Sequence, residues 1–247
     1  GKDKARGDIV FFINGIPLAV IECKDSSVPI LQGISQNIRN QKNDYIPQLF
    51  KYIQIVMSAN KNETKYATCG TPAKFWSSWN EQYIDEQNKI LENKVVDRQI
   101  TKQDRDIVSL FRKDRFLELI KDFIIFEAGI KKICRYQQYF AVKAMLNRIK
   151  EENKGGVIWH TQGSGKSITM VYITKKIMGD KNIKNPQIVI ATDRIDLDKQ
   201  IHKTFNRIGV PAKRATTGKD LTELIRDENI RVITTVVNKF ETAVNSG

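Results

Sequence analysis

The run Gly163-Ser164-Gly165-Lys166-Ser167 constrains this chain more than any other stretch, because it stands between a short apolar run, Val157–Trp159, and an apolar-periodic segment, 165–178. Closely spaced glycines let backbone N–H groups converge on an anion, and a helix that starts there adds the positive end of its dipole. Such a loop belongs at a strand-to-helix junction, and its surroundings agree. From about Cys134 onward strand-length apolar runs alternate with helical periodicity, predicting helix 135–151, strand Val157–Trp159, helix 165–178, strand Ile188–Ala191, helices 196–207 and 219–227, and strand Val232–Val236. That alternation predicts a parallel sheet with crossover helices, an α/β fold. In this setting Gly163, Ser164 and Gly165 form a phosphate cradle, Lys166 reaches the β- and γ-phosphates of ATP, and the Ser167 hydroxyl ligates Mg²⁺. The outer glycine of the generic loop is replaced by His160.

The first half of the chain carries a different chemistry. Residues 8–24 read as two apolar strands joined at Asn14-Gly15, a strong hairpin signal. Asp8 stands at one end of this hairpin and Glu22-Cys23-Lys24 at the other. Glu22 and Lys24, two apart on a strand, share one face. Two carboxylates on Mg²⁺ polarise a phosphodiester and activate water, and a lysine orients that water or stabilises charge, so Asp8, Glu22 and Lys24 are candidate catalytic residues, with Asp8 and Glu22 as metal ligands. The pairing sets a condition. With a strict two-residue turn Ile13 pairs with Ile16, Asp8 falls opposite Ile21, and the carboxylates lie on opposite faces. The chemistry therefore requires a three-residue loop, with Gly15 left-handed and Ile13 opposite Pro17, or a bulge.

Further along, a helix is expected from Leu31 to Lys42, with Ile34 and Ile38 one turn apart, then strands Tyr52–Ala59 and Lys65–Cys69. Residues 79–105 are rich in charged and amide side chains and read as a surface excursion or linker. Between Asp106 and Phe126 the apolar residues Ile107, Leu110, Phe111, Phe116, Leu117 and Ile120 recur at helical spacing. The expected division is a domain over 1–105, a helical connection over 106–130 and a second domain over 131–247.

Charge points to a polyanionic partner. The chain holds 41 Lys and Arg against 28 Asp and Glu, a net +13. Residues 1–125 contribute 19 basic and 16 acidic side chains and residues 126–247 contribute 22 and 12, so the excess sits in the second half. The longest apolar runs, Ile9–Ile13 and Pro17–Ile21, fall short of the roughly 18 residues a membrane helix needs, and a cytoplasmic location is expected. Cys23, Cys69 and Cys134, odd in number and scattered, read as reduced residues rather than a disulfide framework or zinc site. The chain opens at Gly1-Lys2-Asp3 and stops at Asn245-Ser246-Gly247, which reads as an excerpt of something longer.

Asp8, Glu22 and Lys24 match the pattern of the PD-(D/E)xK nucleases. The loop at 163–167 resembles that of superfamily 2 helicases, which commonly keep only the inner Gly-x-Gly-Lys. Three flanking elements resemble that superfamily too. Arg135-Tyr136-Gln137 lies where related motors place a glutamine that reads the adenine edge, making Gln137 a nucleotide-binding candidate. The segment from Ala191 to Gln200 resembles the element that touches the DNA backbone, and Val232-Ile233-Thr234-Thr235 with Asn238-Lys239-Phe240 resembles the next. No acidic water-activating motif and no second motor lobe accompany them, so the chain by itself is expected to bind nucleotide without turning it over.

A Gly-Asp-Ile-Val…Asn-Gly-Ile-Pro-Leu…Ile-Glu-Cys-Lys hairpin followed by Arg-Tyr-Gln and Gln-Gly-Ser-Gly-Lys-Ser resembles the N-terminal part of the motor (R) subunit of type I restriction enzymes. The resemblance implies a PD-(D/E)xK restriction-endonuclease-like domain followed by the beginning of a RecA-like helicase domain. It further implies ATP-driven translocation of double-stranded DNA, endonuclease cleavage, and a complex with modification (methyltransferase) and specificity subunits. Family members carry Gln-x-x-x-Tyr on the helix after the nuclease strands. Here Gln36 takes that place with Asn40 where tyrosine would stand, while Gln41…Tyr45 and Gln48…Tyr52 match the string further on; Gln36 is the favoured site residue. The rival readings are an ATP-dependent DNA repair helicase-nuclease, a DNA-binding assembly module with a lapsed nuclease, and an RNA helicase fragment that would leave residues 1–75 without a role.

Overall fold

Asn14 and Gly15 both take positive φ, 51° and 78°, so the first hairpin closes through a two-residue turn of the I′ kind. In this computed structural model, which describes residues 5–152 and 155–245, strand β1 (Ile9–Ile13) pairs antiparallel with β2 (Ile16–Cys23). The sequence ends Gly1-Lys2-Asp3 and Ser246-Gly247 lie outside the described residues. Ile13 faces Ile16 and Phe12 faces Pro17, the strict register, but Phe11 then faces Ala19 and Ile9 faces Ile21. Leu18 is the extra residue. The three-residue loop does not form; of the two alternatives the chain uses the bulge, because Asn-Gly adopts the left-handed backbone of a tight turn at little cost.

The chain falls into two compact units, residues 1–125 with 131–140, and residues 126–130 with 141–247. In the first, helix α1 (Ile30–Asn40) and the short α2 (Pro47–Phe50) connect β2 to a parallel neighbour, β3 (Ile55–Ala59), which pairs antiparallel with β4 (Thr64–Ala67). The sheet order is β1-β2-β3-β4. Val20, Ile34, Phe50, Ile53, Val56, Ala67 and Trp76 form the core under α1. On the other sheet face Phe11 stacks on Phe111, ring centroids 4.7 Å apart.

The charged stretch 79–105 contains more fold than its composition suggests. It holds α3 (Ile84–Glu92), and Trp79, Gln87 and Leu91 are buried. Thr101 and Asp104 form a reciprocal capping box that starts α4 (Lys102–Phe111), followed directly by α5 (Lys113–Asp122). Of the residues read as a helical face, Leu110, Phe111 and Phe116 are buried while Leu117 is exposed. Arg115 pairs with Glu81 out of solvent and lies over the rings of Trp79, Tyr139 and Phe140. Strands β5 (Ile124–Glu127) and β6 (Ile130–Ile133) and helix α6 (Tyr136–Glu152) follow.

In the second unit α7 (Lys166–Gly179), β7 (Ile188–Thr192), α8 (Ile195–Arg207), β8 (Lys213–Arg214), α9 (Gly218–Arg226), β9 (Val232–Val236) and α10 (Asn238–Asn245) follow in order. Strands β7, β9 and β8 form a parallel sheet in that order, so the chain is mixed α/β. Val171, Ile201, Phe205, Val210, Ala212 and Val232 fill one core between sheet and helices. The strand expected at Val157–Trp159 is absent: Val157 and Trp159 are 93% and 91% exposed and the segment has no strand partner. Apolar composition allows a strand, but only a neighbour's hydrogen bonds make one.

Trp79 is fully buried, with its ring edge against Tyr66 at 5.9 Å between centroids. Trp79→Ala is therefore expected to cost about 3–5 kcal/mol in urea unfolding; a loss under about 1 kcal/mol, the size of a surface substitution, would contradict this core assignment.

Candidate functional site

The bulge at Leu18 fixes the first candidate site. Continuing the register from Ile9 opposite Ile21 puts Asp8 across from Glu22, and Asp8 Oδ2 accepts a hydrogen bond from the Cys23 N–H at 2.8 Å. Lys24 Nζ donates to Glu22 Oε1 at 2.7 Å and to Gln36 Oε1 at 2.9 Å. Four sequence-derived candidates, Asp8, Glu22, Lys24 and Gln36, thus converge at the ends of β1 and β2 beside α1. The other glutamine candidates do different work. Gln41 Oε1 accepts from the Gly70 N–H at 2.8 Å, Gln48 is exposed, and Tyr45 lies under Arg39, whose guanidinium is 4.9 Å from its ring centroid. Asn40 is buried, with its amide near the Arg6 carbonyl.

Glu22 is fully buried and its Oε2 has no hydrogen-bond partner. Burial pushes its carboxyl above the ordinary range, the Lys24 hydrogen bond pulls it partly back, and the Asp8 charge adds to the rise. Burial likewise raises the Cys23 thiol, beside the same two carboxylates. A second cation answers all of these features: it would meet the orphaned Oε2, separate two like charges and accept hard oxygen ligands. Among the described residues no cluster of three or more His, Cys, Asp or Glu side chains is present, so Asp8 and Glu22 would leave most coordination positions to backbone, water or substrate oxygens. Sequence reasoning passed over Gly33 and Ser58. A Cβ on Gly33 would lie 2.8 Å from Ser58 Oγ and 3.3 Å from Lys24 Cγ, so α1 approaches the sheet here as only a glycine permits; an isolated glycine inside a helical pattern is the signal for such closeness.

The second candidate site lies in the other unit. Gly163 and Gly165 take φ of 77° and 86°, and Gly165 is the left-handed N-cap of α7, with no side chain capping the helix's first N–H groups. Those donors remain available to an anion. Lys166 is exposed and spans the loop, its Nζ donating to the Thr161 carbonyl at 2.8 Å, a bond that a phosphate oxygen can replace. Ser164 is buried and Ser167 half-buried on the first turn. Gln137 lies in the first turn of α6 within the first unit, its Oε1 buried and without a hydrogen-bond partner.

Comparison with known proteins joins the two halves. Residues 1–75 match the model of the Type I restriction enzyme R protein N terminus, and residues 137–246 match the SWI2/SNF2 ATPase model. The class is thus an R-protein N terminus followed by a segment similar to SWI2/SNF2 ATPases. Among curated relatives, the MjaIXP type I restriction enzyme endonuclease subunit of Methanocaldococcus jannaschii is 33% identical over 95% of this chain and 24% of its own length. The HindI endonuclease subunit of Haemophilus influenzae is 32% identical over 87% and 20%, and the SsaAORF53P subunit of Staphylococcus saprophyticus is 27% identical over 98% and 25%. The chain belongs to the family of type I restriction enzyme endonuclease (R) subunits, and it spans about a quarter or less of the relatives it matches. No helix among the described residues is long and apolar enough to cross a membrane.

The raised Glu22 carboxyl gives a pH test. A folded-state value above the unfolded one means the contribution to stability is intact below about 4.5 and is lost as pH rises through the raised value. In metal-free buffer Glu22→Gln is expected to melt higher than the native chain at pH 7, with the gap closing toward pH 4. A gap that instead widens on acidification would mean that Lys24 outweighs burial.

Proposed function

We propose that the intact protein is a Mg²⁺-dependent endonuclease that cuts double-stranded DNA in the cytoplasm, coupled to ATP-driven translocation within a complex of modification (methyltransferase) and specificity subunits. The observation that carries the reading is the convergence of Asp8, Glu22, Lys24 and Gln36 on one strand end, in a chain that also holds a glycine-rich loop at a helix start. The relatives' names support restriction over a repair helicase-nuclease. The reading includes a PD-(D/E)xK fold for the first unit and the beginning of a RecA-like domain in the second.

In this mechanism Asp8 and Glu22 are the metal ligands, and bound Mg²⁺ supplies Lewis-acid polarisation of the scissile phosphate and a more acidic water. Lys24 is held between Glu22 Oε1 and Gln36 Oε1, so its ammonium has a fixed position from which to orient water or stabilise developing charge. Gln36 positions Lys24. In the second unit the amides around Gly163, Ser164 and Gly165 receive phosphate oxygens, Lys166 exchanges the Thr161 carbonyl for phosphate, and Ser167 offers its hydroxyl to Mg²⁺. Gln137 reads the adenine edge. The basic excess of residues 126–247 suits a DNA backbone.

The test uses the full-length subunit assembled with its partners. Lys24→Ala is expected to slow cleavage by about 10²-fold or more, and Glu22→Ala to reduce it to background, with ATPase activity retained in both. Lys166→Ala should abolish translocation. Cleavage by Glu22→Ala at the native rate, or ATP-driven movement by Lys166→Ala, would overturn the corresponding half of the assignment.

A further inference from the structure

Glu22 and Ser58 are direct partners across the parallel β2–β3 pair, and Val20 opposite Val56 two residues earlier, both in the core under α1, fixes the face that they share. Both residues are fully buried, and each carries an oxygen without a hydrogen-bond partner, Glu22 Oε2 and Ser58 Oγ. Neither oxygen is in contact with solvent in the metal-free fold. The other groups facing Glu22 are engaged elsewhere: Lys24 bonds Oε1 and Gln36, and Asp8 accepts the Cys23 N–H. A serine hydroxyl hydrogen turns about the Cβ–Oγ bond, and the group can donate as well as accept. Gly33 leaves the niche this hydroxyl occupies, since a side chain there would meet Ser58 Oγ at 2.8 Å.

We propose that Ser58 is a positioning residue of the carboxylate site, its hydroxyl fixing the second oxygen of Glu22 in the orientation that receives a divalent cation. The inference rests on the metal-dependent reading of Asp8 and Glu22. Outer groups that orient a ligating carboxylate commonly contribute 10–100-fold to metal affinity. Ser58 makes no bond to the cation itself. In the metal-free fold the two oxygens are not bonded to each other; the hydroxyl donates to Glu22 Oε2 once a cation draws that carboxylate into coordination, and so holds it in one rotation.

The experiment is a Mn²⁺ titration of the chain followed by the electron paramagnetic resonance signal of free Mn²⁺, for the native protein, Ser58→Ala and Glu22→Ala, with thermal melts of all three. The expected result is a Glu22-dependent Mn²⁺ site in the native chain whose dissociation constant rises about 10–100-fold in Ser58→Ala. The Ser58→Ala melting temperature should shift by less than about 4 °C, since the hydroxyl that is lost has no partner in the metal-free fold. A purely structural hydroxyl would leave Mn²⁺ affinity unchanged, and that result overturns the role of Ser58 while sparing the metal reading. Native protein with no Glu22-dependent binding removes the metal reading and this inference together.

Discussion

One extra residue in β2 carries the first candidate site. Without Leu18 as a bulge, the Asn14-Gly15 turn would set Asp8 opposite Ile21 and turn its carboxylate to the sheet face away from Glu22. The bulge is anchored from the far side, where the Leu18 carbonyl accepts the Gln54 N–H at 2.8 Å as the chain enters β3. Local turn chemistry and the distant requirement for two carboxylates on one face are in conflict. A single insertion reconciles them without disturbing the paired residues at either end.

A fully buried glutamate at a strand end is costly, and Lys24 offsets only part of that cost because it bonds one oxygen of two. On the metal-dependent reading proposed above, such an arrangement destabilises the metal-free fold in exchange for a site whose charges are set in place beforehand, a common trade at functional centres. The tight seat of Gly33 against Ser58 serves the same end, since it brings α1, and Gln36 with it, down onto the strand ends.

Much of this was readable from residues alone, for identifiable reasons. Asn14-Gly15, the apolar runs on either side of it and the alternation after Cys134 are short-range signals, and β1, β2, β7, β9 and helices α6 to α9 stand close to the expected positions. Asp8 with Glu22 was legible because metal chemistry imposed a geometric condition on the register. Trp79 in the core was not, since a charged composition around one aromatic says nothing about which distant rings receive it. Val157–Trp159 was misread because strand formation depends on a partner, which no local pattern contains. Ser58 passed unnoticed as a small strand residue, its meaning set wholly by what lies across from it.

The central claim is that the bulged hairpin builds a divalent-cation site from Asp8 and Glu22. Anomalous diffraction from crystals soaked in Mn²⁺, with a Glu22→Ala crystal as control, addresses it without partner subunits. The account predicts a peak between the two carboxylates in the native crystal and none in the control. An ordered, solvent-accessible site with no peak, or a peak that persists unchanged in Glu22→Ala, would contradict it.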